Sequence, residues 1–470
     1  MISLATKHDD PDKALGWGER LGYASGAFGW NMINGIIGTY LTMYFTNVAF
    51  LDVAVVSTLI AVSKLFDGVS DLIVGRMVDK TKSKLGKARP WLARMCIPFA
   101  IATILLFFVP QSFPGAVKYV YVFIVYNLVN TVCLTAMAVP YYSMISLMTS
   151  NPNERGFLGN IQQIGQTLGN VALNTFFVSM LSIFSGHIDN DQYTQRGYTI
   201  TIGILCLIMV IVSFIAVITT KERVHGIEGG EKQEEEIKVN AVDALKSLFQ
   251  NKYWLMMFVA MLGVFFSIIF YSIGGVYYCM YILGSMKEMA WMTNSISLAQ
   301  FGIMFITPFF MNKFGKRYVY AIGMGLLAFG FLGFELVGTS KIMMIICNVM
   351  KGAGLGMAGG MAMGLVADAI TYGTLKTGIN AVGMGNAGVS AAQKIGLGLG
   401  QAVFGWILAA SGFNAALDAQ GIAQPETVIT AIRLLYDWIP MVMCALISIM
   451  MLLFFNLDKD LEKLRAEKEI

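Results

Sequence analysis

A series of apolar runs, each long enough to cross a lipid bilayer, limits what this chain can fold into. About twelve such runs can be drawn, each near the ~20 residues that a membrane-spanning helix requires. The predicted spans cover residues 20–48, 52–78, 91–110, 117–149, 157–185, 197–220, 254–283, 289–311, 318–338, 342–368, 383–410 and 428–456. Only 13% of the residues are charged, whereas soluble proteins carry about a quarter. The sequence therefore predicts an all-α polytopic membrane protein.

Basic residues set the expected orientation of these spans. Lysines and arginines are concentrated in the segments after spans two and eight and in the C-terminal tail, whereas residues 49–51 and 411–427 contain none. The positive-inside rule then places both termini in the cytoplasm. The longest polar interruption, 221–253, is interpreted as a cytoplasmic linker. The predicted units are an N-terminal six-helix bundle with a cation site (1–220), the linker (221–253), a C-terminal six-helix bundle (254–456) and a cytoplasmic tail (457–470).

The two predicted bundles resemble each other in one short pattern. A turn glycine followed by basic residues comes after span two, at Gly86, Lys87 and Arg89, and again after span eight, at Gly315 and Lys316. Parallel six-helix repeats with a site between them are typical of the major facilitator fold. The pattern favours this fold but does not identify a substrate.

Three ionisable residues, Lys64, Asp67 and Asp71, fall inside span two. On a helix, Asp67 and Asp71 lie on one face, one turn apart. An ionised residue near the bilayer centre costs about 2.5–3.5 kcal/mol even on the mildest scale. Such residues mark ion pathways by default, so we predict a cation or proton site here.

Amides in span five follow helical spacing at Gln163, Gln166, Asn170 and Asn174. Amides both donate and accept hydrogen bonds, which suits sugar hydroxyl groups, so the stripe favours a cavity over helix packing. Asn31 and Asn34 of span one fit substrate contact and interhelical hydrogen bonding equally well. The complete set of predicted substrate contacts is Trp30, Asn31, Asn34, Tyr142, Gln163, Gln166, Asn170, Tyr277, Tyr278 and Lys351.

Two lysines lie within later spans. Lys351 in span ten could snorkel, pair with a carboxylate or meet an anionic substrate, and the sequence leaves these alternatives open. Lys394 in span eleven has no acidic neighbour in its own span. Its natural counter-charges are Asp67 and Asp71, and such a pair would couple cation occupancy to closure.

Other classes of function fit the chain poorly. The net charge of +4 is too small to indicate a nucleic-acid partner, and the six cysteines form no CxxC pair. A membrane prenyltransferase would need two aspartate-rich motifs, and only one is present. We expect no cofactor apart from co-transported H⁺ or Na⁺, and no metal beyond a possible Na⁺ at Asp67 and Asp71.

The stretch from Asp67 to Trp91 resembles the signature of the glycoside–pentoside–hexuronide:cation symporters, a melibiose permease-like family. Matching motifs lie elsewhere in the chain: Gly26-Ala-Phe-Gly29, Val139-Pro140-Tyr141, Tyr277-Tyr278-x-x-Tyr281, Ala367-Asp368-Ala-Ile-x-Tyr372-Gly373-x-x-Lys376-x-Gly378, and Lys394. The resemblance implies import of a sugar or glycoside driven by H⁺ or Na⁺. It also implies cation binding or coupling by Asp67, Asp71, Ser70, Thr135 and Lys394.

The chain departs from melibiose permease at three places. Asn31 and Ala138 stand where that protein has aspartates, and Gln163 stands where it has an arginine. These departures predict a substrate other than a galactoside, and they slightly favour proton coupling because a pair of carboxylates in low dielectric tends to hold one proton. Expected gating residues are Asp79, Arg89, Arg155, Asp368, Tyr372 and Lys376.

The predicted protein is a monomeric multi-pass symporter of the bacterial cell membrane, surrounded by lipid. Two alternatives on the same fold remain open, a symporter for lysolipids or other amphiphiles and a sensor that does not transport. The amide stripe favours a hydroxyl-rich ligand, whereas a glycine-rich span ten could accommodate a lipid tail.

Overall fold

A computed structural model describes residues 15–186, 193–224, 241–338, 340–379, 381–420 and 422–467. Within these ranges the regular structure is helical throughout, with no β-strand. This agrees with the all-α class that the apolar runs predict. It also meets the requirement that backbone polar groups in lipid be satisfied within each spanning segment.

In the described part of the N-terminal half there are seven α-helices and two π-helical segments. They are α1 (Trp17–Met43), a π segment (Tyr44–Val48), α2 (Val53–Asp79), α3 (Arg89–Leu106), α4 (Gly115–Asn127), a π segment (Leu128–Leu134), α5 (Thr135–Met148), α6 (Pro152–Ser185) and α7 (Gln195–Thr219). Thr194 caps α7 by accepting a hydrogen bond from the backbone N–H of Gly197, which satisfies one of the free donors of the first turn.

From residue 241 to 467, the described residues form ten α-helices, a 3₁₀ turn and a third π segment. They are α8 (Ala241–Phe249), α9 (Lys252–Tyr281), the 3₁₀ turn (Met286–Glu288), α10 (Met289–Phe314), α11 (Lys316–Leu336), α12 (Lys341–Thr377), α13 (Val382–Ala410), α14 (Ala415–Ala419), α15 (Glu426–Arg433), the π segment (Leu434–Trp438), α16 (Ile439–Leu453) and α17 (Leu457–Glu467). The 37-residue α12 ends at Gly378, whose φ of 73° is the left-handed conformation favoured at helix C-termini.

Nine helical stretches in the described ranges are long and apolar enough to cross a membrane, with lengths from 18 to 39 residues. The helices α1, α2 and α13, with 27, 27 and 29 residues, are not among these nine. The chain is therefore a multi-pass membrane protein, and a total of twelve spans stays a prediction.

The chain divides into two compact units, residues 1–37 with 66–232 and residues 38–65 with 233–470. In the first unit α3 packs against α5 and α7, and α6 packs against α7. Glycines let α6 approach α1 closely, because a Cβ at Gly169 would lie 2.6 Å from the carbonyl oxygen of Phe28. This approach brings the polar faces of α1 and α6 together.

The second unit has a core rich in aromatic and methionine side chains, with α12 packed between α10 and α11. The α11–α12 contact is also a close approach. A Cβ at Gly330 would lie 2.7 Å from Cγ of Lys351, so a glycine at this position lets the lysine stem lie flat against α11. The same packing buries Lys351 completely.

An arginine anchors the last spanning helix of each half. Arg89, at the start of α3, donates through Nε to the carbonyl of Val217 at the end of α7, over 2.9 Å. Arg317, at the start of α11, donates through Nε to the carbonyl of Met451 near the end of α16, also over 2.9 Å. The repeated glycine–basic pattern in the sequence therefore corresponds to the same contact in both halves.

Candidate functional site

Two carboxylates of α2 and two hydroxyls of the neighbouring span form a polar cluster in the first unit. The hydroxyl of Thr131 donates to Oδ1 of Asp67 over 2.8 Å. One turn along, the hydroxyl of Thr135 donates to Oδ1 of Asp71 over 3.2 Å. The four-residue spacing of the aspartates on α2 thus matches the four-residue spacing of the threonines.

The π segment Leu128–Leu134 positions this pair of threonines. It contains Thr131 and ends immediately before Thr135, and π segments inside α-helices are frequent at functional sites. Thr131 also lies 3.3 Å from Oδ1 of Asn127. Thr131 is not among the cation-site residues that the sequence predicts. Its spacing of four residues from Thr135 was the available signal.

Ser70 completes the oxygen lining between the two aspartates. Its hydroxyl donates to the backbone carbonyl of Asp67 over 2.9 Å and lies 3.3 Å from Oγ1 of Thr135. Asp67 is only 9% exposed, whereas Asp71 is half-buried. Carboxylate and hydroxyl oxygens at these distances are suitable partners for a proton or for a hard metal cation.

The two lysines predicted near this cluster belong to the second unit. Lys64 lies in the 38–65 segment, and Lys394 is half-buried near the middle of α13. The pairing of Lys394 with Asp67 and Asp71 stays a prediction.

A second polar cluster joins α1, α5 and α6. The Asn31 side chain donates to the backbone carbonyl of Gln166 over 3.0 Å, and the Gln166 side chain reaches the Tyr142 hydroxyl at 3.5 Å. Trp30 packs edge-on against Tyr142, with ring centroids 5.9 Å apart. Tyr142 is 47% exposed, so this cluster opens at an accessible aromatic face.

Trp30 carries an unsatisfied donor in this cluster. Its side chain is 6% exposed, and its indole N–H has no hydrogen-bond partner among the described residues. Nearby, Asn34 of α1 and the α6 residues Gln163 and Asn170 are half-buried. A buried donor without a partner is unusual in a folded protein, and a ligand oxygen would satisfy it.

One glutamine beside the predicted stripe has a structural role that the sequence did not reveal. Gln162 is 9% exposed, and its side-chain oxygen accepts the hydroxyl of Tyr23 over 2.9 Å. Gln162 is thus committed to packing between α1 and α6, whereas its neighbour Gln163 remains half-buried and available.

Three other predicted substrate contacts are buried inside the second unit. Tyr277 is 1% exposed and its hydroxyl lies 3.0 Å from that of Thr46. Tyr278 is 3% exposed and packs on Phe334 and Tyr436. Lys351 is 1% exposed. Sugar contact by these three residues stays a prediction.

Glu222 organises the loop that contains the first predicted gating arginine. Its carboxylate accepts the backbone N–H groups of Lys87, Ala88 and Arg89 at 2.6, 3.0 and 2.8 Å. Gly86 has a φ of 104°, and a Cβ there would lie 2.3 Å from the Glu222 carboxylate. Glu222 lies inside the predicted linker, and the sequence did not predict that its carboxylate contacts the 87–89 backbone.

The remaining predicted gating residues form local contacts at helix ends. Asp368 pairs with Lys316 at 2.7 Å, and Arg155 donates to the carbonyl of Thr149 over 2.9 Å. Tyr372 meets the ring of Tyr253 edge-on, and the Lys376 ammonium lies 5.8 Å from the Tyr372 ring. The side chain of Asp79 lies outside the described part of the structure.

Residues 22–459 match the family model described as MFS/sugar transport protein. The isoprimeverose transporter of Lactiplantibacillus pentosus is 30% identical over 96% of this chain and 91% of its own length. A putative glycoside/cation symporter of Escherichia coli, YagG, is 25% identical over 96% of this chain and 94% of its own length.

The fold itself is similar to a solved transporter. The crystal structure of a D-xylose-proton symporter matches with a TM-score of 0.63 at 16% identity, covering 93% of this chain and 97% of that one. Together, the helical architecture and the family match over nearly the whole sequence show that this chain belongs to the MFS/sugar transport protein family and is a multi-pass membrane transporter rather than an enzyme.

Proposed function

We propose that this protein is a secondary active symporter that imports a sugar or glycoside together with H⁺ or Na⁺. The observation that carries the proposal is the matched pair of aspartates and threonines, with Asp67 and Asp71 each accepting a hydroxyl at hydrogen-bond distance. Two carboxylates one turn apart in a membrane helix repel each other unless a cation or proton lies between them. Membership of a sugar transport family supports the same interpretation.

The cation would control the energy of the sugar-binding state. With the site empty, two partly desolvated negative charges face each other across one helical turn. Binding one cation offsets this repulsion, and a conformation in which both aspartates converge on the cation becomes more favourable. If that conformation also binds sugar better, each ligand raises the affinity for the other by the same factor.

The sugar would bind at the Trp30 cluster in the first unit. Amide groups of Asn31, Asn34, Gln163, Gln166 and Asn170 supply donors and acceptors on neighbouring helices. The exposed ring of Tyr142 offers an apolar face and a hydroxyl, which suits a pyranose ring. The free indole N–H of Trp30 would donate to a sugar oxygen.

The substrate class follows from the charges of this cluster. The five amides and the two aromatic residues carry no formal charge, which favours a neutral glycoside over an anionic hexuronide or sulfonated sugar. The relative named for isoprimeverose supports the neutral class, whereas those named for glucuronide and sulfoquinovose make the anionic sugars of the test panel the necessary comparison.

Electrogenic transport by the full chain in proteoliposomes tests the proposal. A panel of neutral glycosides, hexuronides and sulfonated sugars is applied, each with and without Na⁺ and at two pH values. A sugar-dependent current that requires Na⁺ assigns the aspartates to Na⁺, and a current that depends on pH but not on Na⁺ assigns them to H⁺. Silence across the panel, with transport of a lysolipid instead, would overturn the sugar proposal.

A further inference from the structure

A second charged group inside the membrane spans has no role in the mechanism proposed above. Lys351 of α12 and Asp437 of the π segment Leu434–Trp438 form an ion pair in which Nζ and Oδ1 are 3.8 Å apart. Each side chain is only 1% exposed. Both residues lie in the second unit, on spans ten and twelve of the predicted series.

This ion pair lacks the hydrogen bonds that usually accompany buried charges. A separation of 3.8 Å is too long for a hydrogen bond. Among the described residues, neither carboxylate oxygen of Asp437 nor the ammonium of Lys351 has a hydrogen-bond partner. Coulomb attraction repays the desolvation of two buried charges only when the geometry is good and further hydrogen bonds are made. Stability alone therefore explains this pair poorly.

Three aromatic rings surround the Lys351 ammonium. Its Nζ lies 4.3 Å from the ring centroid of Phe331, 4.0 Å from that of Phe334 and 4.6 Å from that of Tyr436. Desolvated cation–π contacts are each worth about 2 kcal/mol, and they do not depend on the charge of Asp437. These contacts offset part of the desolvation of the Lys351 ammonium, whether Asp437 is charged or neutral.

Two other charged groups act on Asp437 in opposite directions, Glu335 of α11 and Arg433, which lies one turn before it. Glu335 carries the same charge as Asp437 and opposes its ionised form, whereas the positive charge of Arg433 favours it. Because three rings hold the ammonium of Lys351 and Glu335 opposes the charge of Asp437, Asp437 is the member of the pair whose charge changes more readily.

Further titratable groups face the pair from the packed helices: Cys347 on α12, Tyr278 on α9 and Tyr436 on the π segment. The two tyrosines present their rings, and Cys347 is neutral as a thiol. These groups add no fixed negative charge to the site.

The two charged groups that act on Asp437 are more exposed than Asp437 itself. Glu335, 16% exposed, pairs with Arg433, 45% exposed, over 3.2 Å. The second oxygen of Glu335, Oε2, is buried without a hydrogen-bond partner among the described residues. Glu335 thus has one oxygen on an accessible arginine and one free oxygen, which suits a group that passes a proton inward.

We propose that Asp437, with Lys351 as its fixed counter-cation, is a second proton-binding site of this protein, loaded through Glu335. A proton adds to a carboxylate oxygen of Asp437 and gives the neutral acid, while the Lys351 ammonium stays on the three rings. The same proton leaves by the reverse path. The site exists independently of the cation held at Asp67 and Asp71, and only its part in driving transport rests on the proposed symport.

Infrared difference spectra of the purified full-length protein, recorded between alkaline and acidic pH without substrate, test the proposal directly. Protonation of a carboxylate gives a carbonyl-stretch band of the carboxylic acid. We expect Asp437→Asn to remove one buried-acid band that Asp368→Asn retains, because Asp368 belongs to a half-exposed pair with Lys316. An unchanged spectrum in Asp437→Asn would overturn the proposal.

Three further variants keep the test decisive. Should Asp437→Asn fail to fold because it leaves Lys351 unpaired, the double variant Lys351→Gln/Asp437→Asn removes both charges and must lose the same band. Asp71→Asn must retain that band, and its loss there would assign the proton to the first unit instead. Glu335→Gln is expected to slow the appearance of the band after a pH jump by about tenfold, and an unchanged rate overturns the route through Glu335.

A transport measurement on the same variants separates this proposal from the proposed symport. If no sugar moves in proteoliposomes but the Asp437 band is present, the proton site stands and the symport proposal fails. If sugar transport is normal and the band is absent, the proton site fails and the symport proposal stands.

Discussion

The carboxylates of α2 in the first unit and of the π segment Leu434–Trp438 in the second unit lie in different surroundings. In the first unit Asp67 and Asp71 accept hydrogen bonds from threonine hydroxyl groups. In the second unit Asp437 pairs with Lys351, whose ammonium group is enclosed by aromatic rings. Hydroxyl oxygens can take part in binding a small cation, whereas the rings hold a cation that belongs to the chain itself.

A π-helical segment lies at both places. The segment Leu128–Leu134 positions Thr131 beside Asp67, and the segment Leu434–Trp438 contains Asp437 itself. A π segment shifts the register of the residues that follow it, so that side chains project at angles a regular helix does not offer. Because both sites contain a π segment, the difference between them comes from the neighbouring side chains, which are hydroxyls at one site and aromatic rings at the other.

The largest expected effect is at the hydroxyl-lined site. Asp71→Asn should abolish concentrative sugar uptake, because a site without this charge can no longer exchange the driving cation. Uptake into energised proteoliposomes measures accumulation, and counterflow confirms that the variant still binds sugar. Asp52→Asn is the matched control, since this residue caps the same helix through Oδ1 and lies outside the site. Normal accumulation by Asp71→Asn would remove the coupling role.

At the enclosed site we expect a loss of stability from a single substitution. Asp437→Asn leaves the buried lysine without its counter-charge and should lower the free energy of unfolding by about 3–5 kcal/mol, whereas Lys351→Met/Asp437→Leu should restore most of it. Asp368→Asn breaks a half-exposed pair and should cost about 0–1 kcal/mol. Thermal unfolding in detergent ranks the three variants. Equal losses for Asp437→Asn and Asp368→Asn would contradict the contrast between the two environments.

A smaller effect should distinguish the hydroxyl from the methyl group at Thr131. Thr131→Ala removes the hydrogen bond to Asp67, and hydrogen bonds to charged groups are worth about 1.5–3 kcal/mol. The half-saturating cation concentration should rise by roughly tenfold or more, while Thr131→Ser should stay near the wild type. Titration of transport rate against Na⁺ or H⁺ measures both. A similar loss in the serine variant would indicate packing and not ligation.

The smallest effect concerns two adjacent glutamines of α6. Gln163→Ala should raise the half-saturating sugar concentration by roughly two- to tenfold, the value of one neutral hydrogen bond. Gln162→Ala removes the contact with Tyr23 and should lower stability without changing sugar affinity. Transport kinetics and thermal unfolding of both variants separate the two roles. If Gln163→Ala leaves affinity unchanged, its side chain serves packing.

Much of the organisation could be predicted from local patterns. Apolar length predicted the membrane helices, and the i, i+4 spacing put Asp67 and Asp71 on one helix face, because both depend on the geometry of a single helix. The glycine–basic pattern predicted a repeat, and the contacts of Arg89 and Arg317 give that repeat a structural meaning.

Local patterns could not predict contacts between segments that are distant in the sequence. No local feature of the sequence links Glu222 to the backbone of 87–89, or Asp437 to Lys351 across 86 positions. The contact between Thr131 and Asp67 became apparent only in the structure, where the π segment sets the direction of the Thr131 side chain. The sequence alone thus determined that the chain crosses the membrane several times and which helix carries two acids, because hydropathy and helical periodicity are local. The tertiary structure decided which side chains meet Asp67, Asp71 and Asp437 and which of two glutamines packs against Tyr23, because these contacts depend on the side chains that packing brings alongside.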